Sequence, residues 1–130
     1  MADRPRVYVT RRLPDEAVAL LAASCDVEAW PEEAVVVPRE ELLRRVAEVD
    51  GLLCLLTERI DEQLLDAAPR LRAVATMAVG YDNVDVPALS RRGVLLTNTP
   101  DVLTETTADL VWALMLATAR RIVEGSELIR

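Results

Sequence analysis

The chain has 130 residues, 52% of them apolar and 28% charged, with 22 acidic against 15 basic side chains, no histidine and a net charge of -7; this is enough apolar material for one globular core without a metal or disulfide staple. The acidic balance, broken only by doublets such as Arg11-Arg12, Arg44-Arg45, Arg91-Arg92 and Arg120-Arg121, leaves no electrostatic footprint for nucleic acid or an anionic membrane. The longest apolar stretch, 110–117, is far shorter than the roughly 18 residues of a membrane span, and residues 1–5 lack the apolar core of a signal peptide, so a cytoplasmic protein is expected.

Short β-branched apolar runs alternate with amphipathic segments. Residues 6–10 read as a strand, 15–23 as a helix entered through Pro14, and 25–30 as a half-buried edge strand closed by Pro31. A helix over 38–49 puts Leu42, Leu43 and Val46 on one face, and the unbroken apolar run 51–56 suits a central parallel strand covered on both sides. A short helix over 61–68 stops at Pro69, a fourth strand covers 71–77, a helix over 87–92 ends at Gly93, and a fifth strand covers 94–97. Strand and helix repeated with short connections predict an α/β fold: a flavodoxin-like open parallel sheet of five strands, order 2-1-3-4-5, with helices on both faces. Cys25 and Cys54 lie in or beside apolar runs without CxxC spacing and are expected to be reduced and buried.

The last segment differs. Residues 104–124 predict one long helix with hydroxyl and acid caps at 104–107, apolar almost all round from 108 to 119. Such a helix wants cover on two sides. The expected organisation is therefore a sheet domain over 1–103, with a long interdomain or dimerisation helix over 104–130 packed on it and a further domain or partner chain on its other side.

In open α/β sheets ligands bind beyond the carboxyl ends of the strands. Those positions carry Thr10-Arg11-Arg12, Thr57-Glu58, Ala78-Val79-Gly80-Tyr81-Asp82 and Asn98-Thr99-Pro100-Asp101. Thr57 offers a hydroxyl, and Gly80 removes a side chain where backbone N–H groups could hold a small anion. Each also has an ordinary reading: Gly80 as a turn device, Thr57 as a cap, Arg11-Arg12 as a solvated pair, and Asp82 with Asp85 as a turn and helix start. The glycines are Gly51, Gly80, Gly93 and Gly125, so neither a G-x-G-x-x-G nor a P-loop motif is present. A flavin loop would need glycine after strand 1, and a phospho-receiver would need acidic residues there.

At these residues the sequence resembles the N-terminal substrate-binding domain of the D-isomer-specific 2-hydroxyacid dehydrogenases, in particular those that reduce glyoxylate and hydroxypyruvate. The resembling blocks are Val9-Thr10-Arg11-Arg12-Leu13-Pro14, Asp50 to Thr57, Thr76-Met77-Ala78-Val79-Gly80-Tyr81-Asp82-Asn83-Val84-Asp85, and Arg91-Arg92-Gly93-Val94 through Asn98-Thr99-Pro100-Asp101-Val102-Leu103-Thr104-Glu105-Thr106-Thr107-Ala108-Asp109-Leu110. The resemblance implies hydride transfer between NAD or NADP and a small 2-oxo or 2-hydroxy acid. It places the backbone amides of Val79 and Gly80 on the substrate carboxylate, Thr57 in the substrate pocket and Thr107 near the nicotinamide. Asp109 stands where the family often has glutamate. The family's dinucleotide-binding domain, with its catalytic arginine, glutamate and histidine, would lie beyond residue 130, so no catalytic residue and no bound cofactor are expected in this chain, nor activity from it alone. A homodimer through the 106–124 helix is expected. The residues alone leave open a stand-alone flavodoxin-like module that folds and self-associates without catalysis.

Overall fold

A computed structural model describes residues 4–129. The alternating pattern resolves into β1 (Arg6–Val9), α1 (Asp15–Ala22), β2 (Asp26–Ala29), α2 (Arg39–Val46), β3 (Gly51–Cys54), α3 (Glu62–Ala67), β4 (Ala73–Thr76), α4 (Val86–Arg91) and β5 (Leu95–Thr97), followed by α5 (Thr104–Ala119) and α6 (Ile122–Ile129). The strands form one sheet in the order β2-β1-β3-β4-β5, every pair parallel. This is the expected topology. The chain moves one way from β1 to β2 and the other way afterwards, so right-handed crossovers put α1 on one face and α2, α3 and α4 on the other.

Register shows why the two faces differ. Tyr8, Leu52, Val74 and Leu96 lie in one cross-strand row, on the face where Leu42 and Val46 of α2, Leu64 and Leu65 of α3, and Ala88 and Leu89 of α4 complete a single buried cluster. Burying each such leucine contributes roughly 1.5–3 kcal/mol. The adjacent row contains Val7, Gly51, Ala73 and Leu95; a Cβ at Gly51 would sit 3.2 Å from Val7 Cγ2, so this row is packed tightly at β1 and β3. Its helix, α1, buries no residue of its own, and Leu20 is 80% exposed.

Local chemistry sets the helix limits. Asp61 accepts the Leu64 amide at 3.0 Å to cap α3, and Asp85 accepts the Ala88 amide at 2.9 Å to cap α4, each satisfying an N–H that the helix itself leaves free. Gly93 closes α4 at φ 67, a conformation that favours glycine. Cys54 is buried as expected, whereas Cys25 is only half-buried; both are free.

The chain divides into two units, the first ending at Pro100 and the second beginning at Asp101, three residues before the expected boundary. The second unit is not one helix. Arg121 takes a φ of 51 and its amide turns back to the Thr118 carbonyl at 3.1 Å, so α5 ends with a left-handed residue in the position glycine usually fills. Nor do the expected hydroxyl caps form: Leu103 precedes α5 with no side-chain cap, and the Thr106 hydroxyl donates to the Leu103 carbonyl at 3.1 Å. Local back-bonding of this kind competes with capping of the amides. Neither α5 nor α6 buries a residue. Among the described residues no helix is long and apolar enough to cross a membrane.

Candidate functional site

The parallel register of β3 and β4 brings their exits together. Cys54 pairs with Thr76, and the ladder continues as Met77 N–H donates to the Cys54 carbonyl at 2.8 Å. The two loops then stay joined: Ile60 N–H donates to the Asn83 carbonyl at 2.9 Å and Asp85 N–H to the Ile60 carbonyl at 2.8 Å. Between those bonds the Asn83 side chain donates to the carbonyls of Leu55 at 3.1 Å and Glu58 at 2.7 Å. The β5 exit is tied in on the other side, with Thr99 N–H on the Ala78 carbonyl at 2.9 Å and Asn98 Nδ2 on the Val79 carbonyl at 2.8 Å.

Within this framework the amides of Val79 and Gly80 stand out by what they do not do. Both residues are exposed, and among the described residues neither N–H donates to a backbone carbonyl. Among the described residues the positive-φ positions are Asp101, Arg121 and Gly93, so Gly80 is not there for left-handed geometry. A Cβ built on it meets only Asp82 Oδ2, at 3.9 Å. Neither turn geometry nor crowding within the chain accounts for the glycine, and the turn-device reading of Gly80 is not supported. What remains is a stretch of exposed backbone with free donors and no side chain over it, the arrangement that suits a small anion. Asp82 and Asp85 belong to a turn and a helix start, as expected.

The β1 exit is tied to the β3 exit through a carboxylate. Glu58, 3% exposed, accepts the Thr10 hydroxyl and the Leu55 amide on Oε2, each at 2.8 Å, and the Thr57 hydroxyl on Oε1 at 2.6 Å. Arg11 Nη2 lies 3.7 Å from the same Oε1 and donates to Thr57 Oγ1 at 3.0 Å, while Nη1 donates to the Glu33 carbonyl at 3.0 Å. Arg11 is therefore not half of a solvated pair; Arg12 alone is exposed. Burial of a guanidinium beside a carboxylate is the usual way to keep both charges inside a fold. Behind this cluster, burial pushes the Cys54 thiol up to about 12, with the nearby Glu58 charge adding to the effect, which leaves an inert thiol.

Thr57 also lines a groove of about 450 Å3 with Arg59, Asp61, Asp82, Asn83 and Asp85, and neither Val79 nor Gly80 belongs to that lining. Three carboxylates against one guanidinium make the groove a poor anion site. Thr107 lies on the first turn of α5, where its amide donates to the Leu103 carbonyl at 2.9 Å. The residue that the sequence reading passed over is Glu58. Its signal was present: an acid directly after Thr57 at the exit of the central strand, facing an arginine at the exit of the neighbouring one.

Residues 7–125 match the family described as D-isomer specific 2-hydroxyacid dehydrogenase, catalytic domain. A glyoxylate reductase of Thermococcus kodakarensis is 54% identical over 127 residues, which cover 98% of this chain and 38% of that protein; a glyoxylate reductase of Aeropyrum pernix is 54% identical with the same coverage. Among solved structures, a Thermus thermophilus protein superposes with a TM-score of 0.83 at 45% identity, covering 93% of this chain and 39% of that one. An NADPH-dependent glyoxylate/hydroxypyruvate reductase from Sinorhizobium meliloti, solved with NADP and malonate, gives 0.66 at 33% identity, covering 89% of this chain and 34% of that one. Fold and family match agree: the chain belongs to the D-isomer-specific 2-hydroxyacid dehydrogenases. It spans about 38% of the length of the curated relatives it matches.

Proposed function

We propose that this chain is the substrate-binding part of a glyoxylate/hydroxypyruvate reductase, in which the Val79 and Gly80 amides hold the carboxylate of a small 2-oxo or 2-hydroxy acid and Thr57 lines the other side of the site. The observation that carries this reading is the pair of exposed, unused amides beside a glycine whose presence the fold does not otherwise require. The glyoxylate reductases among its relatives point to the substrate class, and malonate in the Sinorhizobium structure is a small carboxylate of the same kind.

The cofactor of the reaction is NAD or NADP, which supplies or accepts the hydride. The residues of this chain do not themselves fit a dinucleotide. None of its strand exits presents a glycine-rich turn running into a helix N-terminus, since Gly80 stands alone and α4 begins at the Asp85 cap. We therefore assign only Thr107 to the nicotinamide side and expect no NADH or NADPH oxidation from the isolated chain.

We further propose a homodimer through 106–124 and a cytoplasmic location. The dimer is supported by Trp112 and Leu116, both largely exposed on α5, since contiguous apolar patches of several hundred Å2 commonly mark interfaces; the location is supported by the free thiols. Titrating the labelled chain with glyoxylate tests the central assignment: amide shifts should centre on Val79 and Gly80. Shifts centred on α1 instead would refute it. Sedimentation showing a monomer throughout the micromolar range would refute the dimer, which Trp112→Glu should dissociate.

A further inference from the structure

We propose that Glu58 is a positioning residue that holds the Thr57 proton inward, so that Thr57 meets a bound ligand as a hydrogen-bond acceptor. This rests on the reading that the strand exits take a small 2-oxo acid, and it deepens that reading from a carboxylate site to one that also distinguishes hydroxylated acids.

A threonine hydroxyl has one proton and two lone pairs. The proton of Thr57 goes to Glu58 Oε1 at 2.6 Å, and one lone pair accepts Arg11 Nη2 at 3.0 Å. What the exposed hydroxyl has left is acceptor capacity alone. The anchor is rigid, because Glu58 is itself fixed on Oε2 by Thr10 and the Leu55 amide, and its backbone carbonyl is held by Asn83. Arg11 is largely buried, its side chain 14% exposed, with one N–H of Nη1 on the Glu33 carbonyl and one of Nη2 on Thr57. The Thr57 hydroxyl itself offers an anionic oxygen no donor. A ligand hydroxyl finds an acceptor. Carboxylate binding thus falls to Val79 and Gly80, and Thr57 favours an acid carrying a hydroxyl near its keto group.

Glu58→Gln reverses the polarity without changing shape. The Leu55 N–H can only donate, so the glutamine carbonyl must take the Oε2 place and its NH2 the Oε1 place. That NH2 donates to Thr57 and releases the Thr57 proton outward. The test compares hydroxypyruvate with pyruvate, which differ by one hydroxyl, by amide shift titration of the chain. The unmodified chain should bind hydroxypyruvate about two- to tenfold more tightly, the range one uncharged hydrogen bond commands. Glu58→Gln should lower that ratio, and Thr57→Val, which also gives up the bonds of Thr57 to Glu58 and Arg11, should bring it to one in a folded chain, whereas Thr57→Ser should preserve it. A folded Glu58→Gln chain with an unchanged ratio overturns the proposal, because a purely structural Glu58 would alter stability and not preference. If neither acid moves Val79 or Gly80, the substrate assignment fails, and Glu58 is then judged without ligand. The Thr57 hydroxyl proton should be visible, slowed in exchange and close to Glu58, and should vanish in Glu58→Gln; a rapidly exchanging hydroxyl in the unmodified chain overturns the proposal.

Discussion

Residues 52–54 of β3 and 110–116 of α5 are both unbroken apolar stretches in sequence, yet they end in opposite environments. Leu52 and Cys54 are 2% and 0% exposed, whereas Leu110 and Trp112 are 58% and 63% exposed. The first run lies in the middle of a sheet whose covering helices are encoded a few residues away. The second lies in a unit of two helices that bury nothing. Hydropathy states what a segment prefers, and only the presence of complementary surface decides whether the preference is met.

The sharpest way to break this contrast is truncation. Leu64→Ala, at a fully buried site of α3, should cost about 2–5 kcal/mol by denaturant unfolding, whereas Leu116→Ala in the monomer should stay within about 0.5 kcal/mol. Equal losses would mean that the helical unit has a core of its own. Titration gives the next largest effect. Cys54 in the folded chain ionises near 12 because it is buried, well above its unfolded value, so between those two values the folded state holds the extra proton. Stability should therefore fall as pH rises from about 9 to about 12, by at most about 4 kcal/mol, and Cys54→Ala should flatten that slope. The second unit has no cysteine and should add nothing to it. Capping is smaller still: Asp61→Ala should cost α3 about 1 kcal/mol, while Leu103→Asp, which supplies α5 with the cap it lacks, should raise the helicity of the second unit by a comparable free energy. Thermal melts followed by circular dichroism would read both.

What could be read in the sequence follows the same division. The sheet order was legible because each strand carries its own period and the crossover rule leaves few topologies. The exposed loop that carries Val79 and Gly80 was legible because the carboxyl ends of strands can be located before any contact is known. The break at Arg121 was not, since nothing in an apolar run that ends in two arginines marks a left-handed residue. Arg11 was misread as solvated because its partner, Glu58, lies far along the chain and meets it only through the β1–β3 pairing. Long-range charge pairing leaves no periodic trace. Burial of Cys25 was overestimated for a related reason: β2 is an edge strand, and the helix beside it covers little.

Gly80→Ala is the smallest change and separates folding from binding most cleanly. The residue lies outside the left-handed region, and the added methyl would meet only Asp82 Oδ2 at an ordinary van der Waals separation of 3.9 Å. Replacing glycine under those conditions reduces the freedom of the unfolded chain, so the variant should be more stable by about 0.4–1 kcal/mol. The methyl nevertheless stands beside two amides that no other group of the chain uses. If those amides receive a carboxylate, the substitution should weaken glyoxylate binding while the melting temperature rises. An alanine variant that is stabilised and binds glyoxylate as well as the unmodified chain would show that the ligand does not approach over Gly80. A destabilised variant would show instead that the glycine serves the fold, and the distinction drawn between this exposed loop and the packed exit at Glu58 would fail with it.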